Sequence, residues 1–82
     1  MFSGTKKPTD PIKVLEKKYL YKKIELTENL NSQLKSGLKG AVLEVINTDK
    51  VFAEFYDGKG KQIKRKNEFV FEIRMNQFKL KN

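Results

Sequence analysis

The chain has 82 residues, with 18 Lys or Arg against 10 Asp or Glu and a formal net charge of +8. That is one domain with one small core, in which roughly 60% of the surface exposed by the unfolded chain is buried. It holds no His and no Cys, which removes the imidazole base, the thiolate nucleophile, the soft metal site and the disulfide.

An enzyme is therefore not expected, and neither is a cofactor or a small-molecule substrate. The first residues lack the apolar stretch of a secretory leader, and a small secreted domain usually carries disulfides, so the expected compartment is the cytoplasm. No apolar run approaches the roughly 18 residues of a membrane span, and no membrane partner is expected. The charge is uneven. Residues 1–23 carry seven lysines against Asp10 and Glu16, and residues 59–82 carry eight Lys or Arg against Glu68 and Glu72. The stretch between is acidic on balance. Such a field favours an acidic partner and speeds encounter with it.

Residues 1–9 combine Gly4, Pro8, Ser and Thr with Lys6 and Lys7 and predict a flexible arm. Thr9-Asp10-Pro11 is a helix start: Thr9 or Asp10 offers a capping oxygen and Pro11 suits the first helical position. Ile12, Leu15 and Tyr19 follow at helical spacing, so a helix is expected over about 11–19. Ile12 and Val14 also alternate as a strand would.

Leu20 to Leu26 alternates and reads as the first strand. A ten-residue loop from Thr27 to Ser36 follows, with Leu30 and Leu34 as its apolar anchors. Gly37 and Gly40 lead into a second strand, Ala41–Ile46, apolar except for Glu44; either both of its faces meet apolar surroundings, or it bends across the barrel and buries different faces at its two ends. Asn47-Thr48-Asp49-Lys50 is a hairpin loop. In the third strand Val51, Ala53 and Phe55 should face inward, because Glu54 marks the wet side.

Asp57-Gly58-Lys59-Gly60-Lys61 is a turn, and the basic residues after it predict a protruding ribbon. Phe69, Phe71 and Ile73 are the expected inward face of a fourth strand. Met75-Asn76-Gln77 reads as a tight turn before a short last strand through Phe78 and Leu80. Five short strands with frequent turn signals and glycine bends predict a mainly β fold. It is a small five-stranded barrel with a short N-terminal helix, and one domain spans 10–82.

The run Gly37-x-x-Gly40-x-Val42-x-x-Val45, a turn, then Val51-x-Ala53-x-Phe55 resembles the KOW-type hairpin of SH3-like barrels. A wider stretch, about residues 21–81, is similar to a group of small bacterial SH3-like proteins. The matching pieces are Leu26-Thr27-Glu28, Leu34-Lys35-Ser36-Gly37-Leu38-Lys39-Gly40 and Asn76-Gln77-Phe78-Lys79-Leu80. The resemblance implies an SH3-like barrel, and contact with RNA or RNA-associated proteins. The basic insertion around 59–67 and the N-terminal helix depart from the pattern.

The expected binding residues are Lys59, Lys61, Lys64, Arg65 and Lys66 of the ribbon, Tyr56 at its root, and Lys18 and Lys22 of the N-terminal segment. Lysines neutralise phosphates, and an arginine forks onto one. Tyr56 and Phe69 flank the ribbon and offer rings for stacking, while Tyr19 and Tyr21 are the rings expected to be most exposed. A run of lysines also serves as a plain solvated loop. The acidic residues Glu25, Glu28, Glu44, Asp49 and Glu54 lack the spacing of a calcium loop and read as surface charge. Two functions remain open. One is a non-enzymatic module binding nucleic acid, RNA in particular; the other is an immunity or inhibitor protein covering an acidic surface of a toxin or other protein.

Overall fold

The computed structural model describes residues 10–81; the expected arm over 1–9 lies outside the described residues. Helix α1 (Pro11–Tyr19) starts where its cap predicts. The Asp10 carboxylate accepts the Ile12 amide at 2.9 Å, Pro11 stands in the first turn, and Lys17 and Lys18 lie in the last turn, against the negative end of the helix dipole. Ile12, Leu15 and Tyr19 pack on the core, with the Tyr19 ring edge-on to Phe78 at 5.6 Å. Tyr19 is therefore half-buried rather than an exposed ring.

Five antiparallel strands follow: β1 (Lys23–Leu26), β2 (Lys39–Val45), β3 (Lys50–Tyr56), β4 (Phe71–Arg74) and β5 (Phe78–Leu80). They form one sheet in the order β4-β3-β2-β1-β5. The expected first strand is shorter than its alternation suggests. Leu20 and Tyr21 instead make the turn that leaves the helix, closed by the Lys22 amide donating to the Tyr19 carbonyl at 3.0 Å.

The two edge strands, β4 and β5, are joined only by a 3-10 turn, Met75–Gln77. Laid flat, five strands put their edges about 19 Å apart, four spacings of about 4.8 Å. A three-residue turn rising about 2 Å per residue falls well short of that. The sheet must therefore curl until its edges approach at this corner. It is open along the seam, with no ladder between β4 and β5 among the described residues.

The curl has a local cause in β2. Val42 pairs with Ala53 but Glu44 pairs with Phe52, so Leu43 is an extra residue in the ladder. The bulge bends the strand and turns both Val42 and Val45 inward although three positions separate them. This is the physical form of the expected bend.

The concave side is the core. Ile24, Leu26, Val42, Val51, Ala53, Phe55, Ile73 and Phe78 are buried there, with Leu34 from the long loop. The expected inward face of β3 holds. The loop is tied to itself by side-chain oxygens: Asn31 accepts from the Gln33 and Leu34 amides, and Asn29 from Ser36. Leu30 and Leu34 anchor it as expected.

One core assignment fails. Phe69 is 42% exposed and Val70 41%, and β4 begins only at Phe71, which pairs with Ala53. The cause lies just upstream. Arg65 and Glu68 exchange both backbone hydrogen bonds at 2.9 Å, and Lys66 and Asn67 between them have φ of 51° and 65°. That two-residue hairpin folds the chain back on itself before it reaches the sheet.

Candidate binding surface

The excursion between β3 and β4 carries the five ribbon cations. Its base is a three-residue loop. The Asp57 amide donates to the Lys61 carbonyl at 2.8 Å, the Asp57 carboxylate accepts from the Lys59 and Lys61 amides, and Gly60 takes the positive φ of 79°. The Asp-Gly pair thus sets the turn through its aspartate, while the left-handed position falls two residues later. Past a bridge between Tyr56 and Gln62, the chain reaches the tight hairpin at Lys66-Asn67. The excursion is a looped arm with two turns, shorter in its pairing than the continuous ribbon expected.

Lys59, Lys61, Lys64, Arg65 and Lys66 are all exposed. Among the described residues the ion pairs are Lys50–Glu72, Lys79–Glu25 and Lys81–Glu25, so the five arm cations face no described carboxylate at ion-pair distance. Lys64 stands 5.8 Å from the centre of the Phe69 ring, and the Gln33 side chain donates to the Lys64 carbonyl at 3.2 Å, which ties the arm to the long loop. The two acids of the arm, Asp57 and Glu68, leave it positive.

Tyr56 is half-buried at the root of the arm. Its hydroxyl donates to the Glu54 carboxylate, whose other oxygen accepts from Gln62 at 3.0 Å. The ring is held in place against the outer face of the sheet. Lys18 lies in the last turn of α1, 5.3 Å from the Tyr19 ring, and Lys22 precedes β1. In the sheet order β2 lies between β1, which Lys22 precedes, and β3, whose end is the root of the arm. The expected cationic set is therefore divided into two groups.

Residues outside that set fill the gap. On the convex face the register places Tyr56 beside Lys39, Lys39 beside Glu25, and Glu25 beside Lys79; one step along, Glu54, Ala41 and Lys23 form the next row. A depression of about 390 Å³ opens there, lined by Tyr21, Lys23, Lys39, Ala41, Tyr56 and Lys81 among others. Lys39 and Tyr56 also line a smaller hollow that runs on to Asp57 and Gly58, so the surface continues to the arm.

Glu25 sits among these lysines, 3.2 Å from Lys81 and 3.8 Å from Lys79. The hydrogen bond from Lys81 holds its carboxyl below the ordinary value, against a smaller opposing effect of desolvation. Strand alternation puts Lys23, Lys39 and Tyr56 on the wet face; the β2–β3 hairpin brings Lys39 and Tyr56 together, but Lys23 joins them only through the register of β1 on β2 across the long loop.

The acidic residues do not converge. Glu25 serves the lysines of β5 and its end, Glu54 serves Tyr56 and Gln62, and among the described residues no group of three or more Asp or Glu side chains is placed to hold a metal ion. No described helix is long and apolar enough to cross a membrane. Comparison with family models, curated proteins and solved structures finds no match to the chain.

Proposed function

We propose that this protein is a nucleic-acid-binding module, with RNA as its target, engaged through the arm between β3 and β4. One observation carries the reading: five exposed cations project from a stretch of eight residues, 59–66, and among the described residues none is neutralised by a neighbouring carboxylate. These are free to displace the counterions of a phosphate backbone, which is the main source of affinity in such complexes. The KOW-like pattern of the central hairpin agrees with an RNA target.

The second reading is a protein partner with an acidic surface, such as the toxin of an immunity pair. What favours it is the exposure of Phe69 and Val70 beside the same cations, since apolar side chains ringed by charge suit a protein interface.

The test is a mobility-shift titration with RNA across salt concentrations, on the wild type and on Lys64→Ala/Arg65→Ala/Lys66→Ala. For a single strand the logarithm of affinity falls with the logarithm of salt by about 0.7 per phosphate neutralised. The triple variant should flatten that slope by up to about 2, as three such contacts are lost. It should still fold, because the Arg65–Glu68 bridge is made by backbone atoms and alanine meets the positive φ of residue 66 no worse than lysine does. Binding that ignores salt sinks the proposal. A single protein partner that survives nuclease treatment of a lysate decides for the second reading.

A further inference from the structure

The trough on the convex face has a composition that the fold does not require. Its clearest feature is Tyr21. The turn Tyr19-Leu20-Tyr21-Lys22 is closed by the Lys22 amide on the Tyr19 carbonyl at 3.0 Å, with Leu20 extended at φ −60° and ψ 129° and Tyr21 at φ 58°. That is the third position of a type II turn, where glycine or asparagine is preferred because a Cβ is strained there. The ring gains nothing from the core in return, for Tyr21 is 74% exposed. Neither backbone nor packing explains a tyrosine at this place.

Its surroundings suit a nucleotide. Ala41 is the smallest outward side chain of the sheet, and it lines the depression with Tyr21, Lys23, Lys39, Tyr56 and Lys81; the register sets Lys23 beside Ala41 and Tyr56 beside Lys39. Two acids lie in the rows around the trough. Glu25 is held by Lys81 and Lys79, and Glu54 has both oxygens occupied, by Tyr56 and Gln62. Against them the four lysines Lys23, Lys39, Lys79 and Lys81 leave this part of the face positive. The hollow at Lys39 and Tyr56 continues to Gly58 at the base of the arm, so one strand of backbone can lie along both.

We propose that this trough is a base-binding subsite for single-stranded RNA, in which an unpaired base stacks on Tyr21 and the flanking phosphates meet Lys23 and Lys39. It rests on the nucleic-acid reading above and extends it from charge alone to a choice of strand. The arm neutralises phosphates of any RNA; the trough accepts only a base that is free of its complement, because a paired base offers no face to the ring.

The test uses the full chain with two probes of equal length, a fluorescent oligouridylate and a duplex RNA, read by anisotropy. Tyr21→Asn keeps a residue that tolerates the left-handed turn, and its urea midpoint should match or exceed that of the wild type. It should weaken oligouridylate binding roughly five- to 150-fold, the range for loss of one base–aromatic stack, with the salt slope unchanged and duplex binding unaltered. Tyr21→Phe keeps the ring and should bind as the wild type does. If Tyr21→Asn binds oligouridylate like the wild type, or loses duplex binding equally, the subsite is overturned while the arm stands. If the wild type binds neither probe, or Lys64→Ala/Arg65→Ala/Lys66→Ala leaves binding and slope untouched, the nucleic-acid reading fails and the subsite with it.

Discussion

Gly37 and Gly40 stand three residues apart and hold their places for different physical reasons, so one substitution should harm them unequally. At Gly40 the obstacle is space. A Cβ there would run into the carbonyl oxygen of Glu54 and stand 2.6 Å from Cδ1 of Phe55. Neither neighbour is free to move: Gly40 pairs directly with Phe55, Phe55 is fully buried, and β3 is laddered to β2 on one side and β4 on the other. Overpacking a close-packed site costs about 1–3 kcal/mol, and a backbone obstacle puts Gly40→Ala near the upper end. For a domain of this size the whole stability is about 4–12 kcal/mol, and each kcal/mol moves Tm by about 4–8 °C. Gly40→Ala should therefore lower Tm by roughly 10–20 °C. At Gly37 the space is open, with nothing within 4 Å of where a methyl would stand, and the constraint is φ of 90°. There the left-handed strain of about 1–2 kcal/mol is partly offset by the reduced freedom of the unfolded chain. Gly37→Ala should cost about 1 kcal/mol, and Gly37→Asn less, since asparagine visits that region readily. Urea titrations and thermal melts followed by circular dichroism measure all three. A Gly40→Ala protein as stable as Gly37→Ala, or a Gly37→Asn no better than Gly37→Ala, would refute the assignment of space to one glycine and φ to the other.

Three further outcomes follow from single contacts. Asp57→Ala removes the acceptor of two loop amides and should cost about 0.5–2 kcal/mol in urea unfolding, whereas Asp57→Asn keeps an oxygen in place and should cost little; equal losses would mean that the carboxylate charge, not the acceptor, matters. Lys66→Asn with Asn67→Gly supplies the residues that a hairpin with two positive φ angles prefers and should raise stability by about 1 kcal/mol; an unchanged melting curve would count against the turn. Glu25 has a lowered folded pKa, so its contribution is present above the ordinary carboxylate value of 4.5 and is lost as pH falls through the lower folded value. The stability gap between the wild type and Glu25→Gln should be widest near neutral pH and vanish in acid, and a gap that grows in acid would contradict the pairing with Lys81.

What the chain discloses about itself divides by range. The helix from Pro11 to Tyr19 is legible because its causes are local: a capping Asp10, a proline in the first turn and three apolar residues at helical spacing. The inward set Val51, Ala53 and Phe55 is legible for the same reason, since alternation with Glu54 needs no partner strand. Phe69 obeys the same alternation with Phe71 and Ile73 and yet stands outside the sheet. Alternation gives the parity of a strand but not the residue at which its ladder begins, and that point is fixed by a turn built from Lys66 and Asn67, in which Asn67 is a common turn residue but Lys66 is not. The trough escapes for a related reason. Lys23, Lys39, Tyr56 and Lys81 come from four separate stretches and meet only through the register of β1, β2, β3 and the end of β5.

The residues that mislead a local reading have something in common. Among the described residues, three that are not glycine take a positive φ: Tyr21, Lys66 and Asn67. Glycine would serve the backbone better at each. Two of the three carry, in its place, a side chain of the kind that meets nucleic acid, a ring at the lip of the trough and a cation at the tip of the arm. Turn positions are where a chain can exchange backbone ease for a projecting group at a cost of about 1–2 kcal/mol each, without disturbing the core. Departures from local preference tend to gather at functional sites. If the proposed RNA-binding reading holds, Tyr21 and Lys66 mark the two ends of the binding surface, and Tyr21→Asn and Lys66→Asn should each relieve strain while weakening RNA binding, the first through lost stacking and the second through one lost phosphate contact. A variant that gains stability and keeps full affinity would break the link between strain and binding at that position.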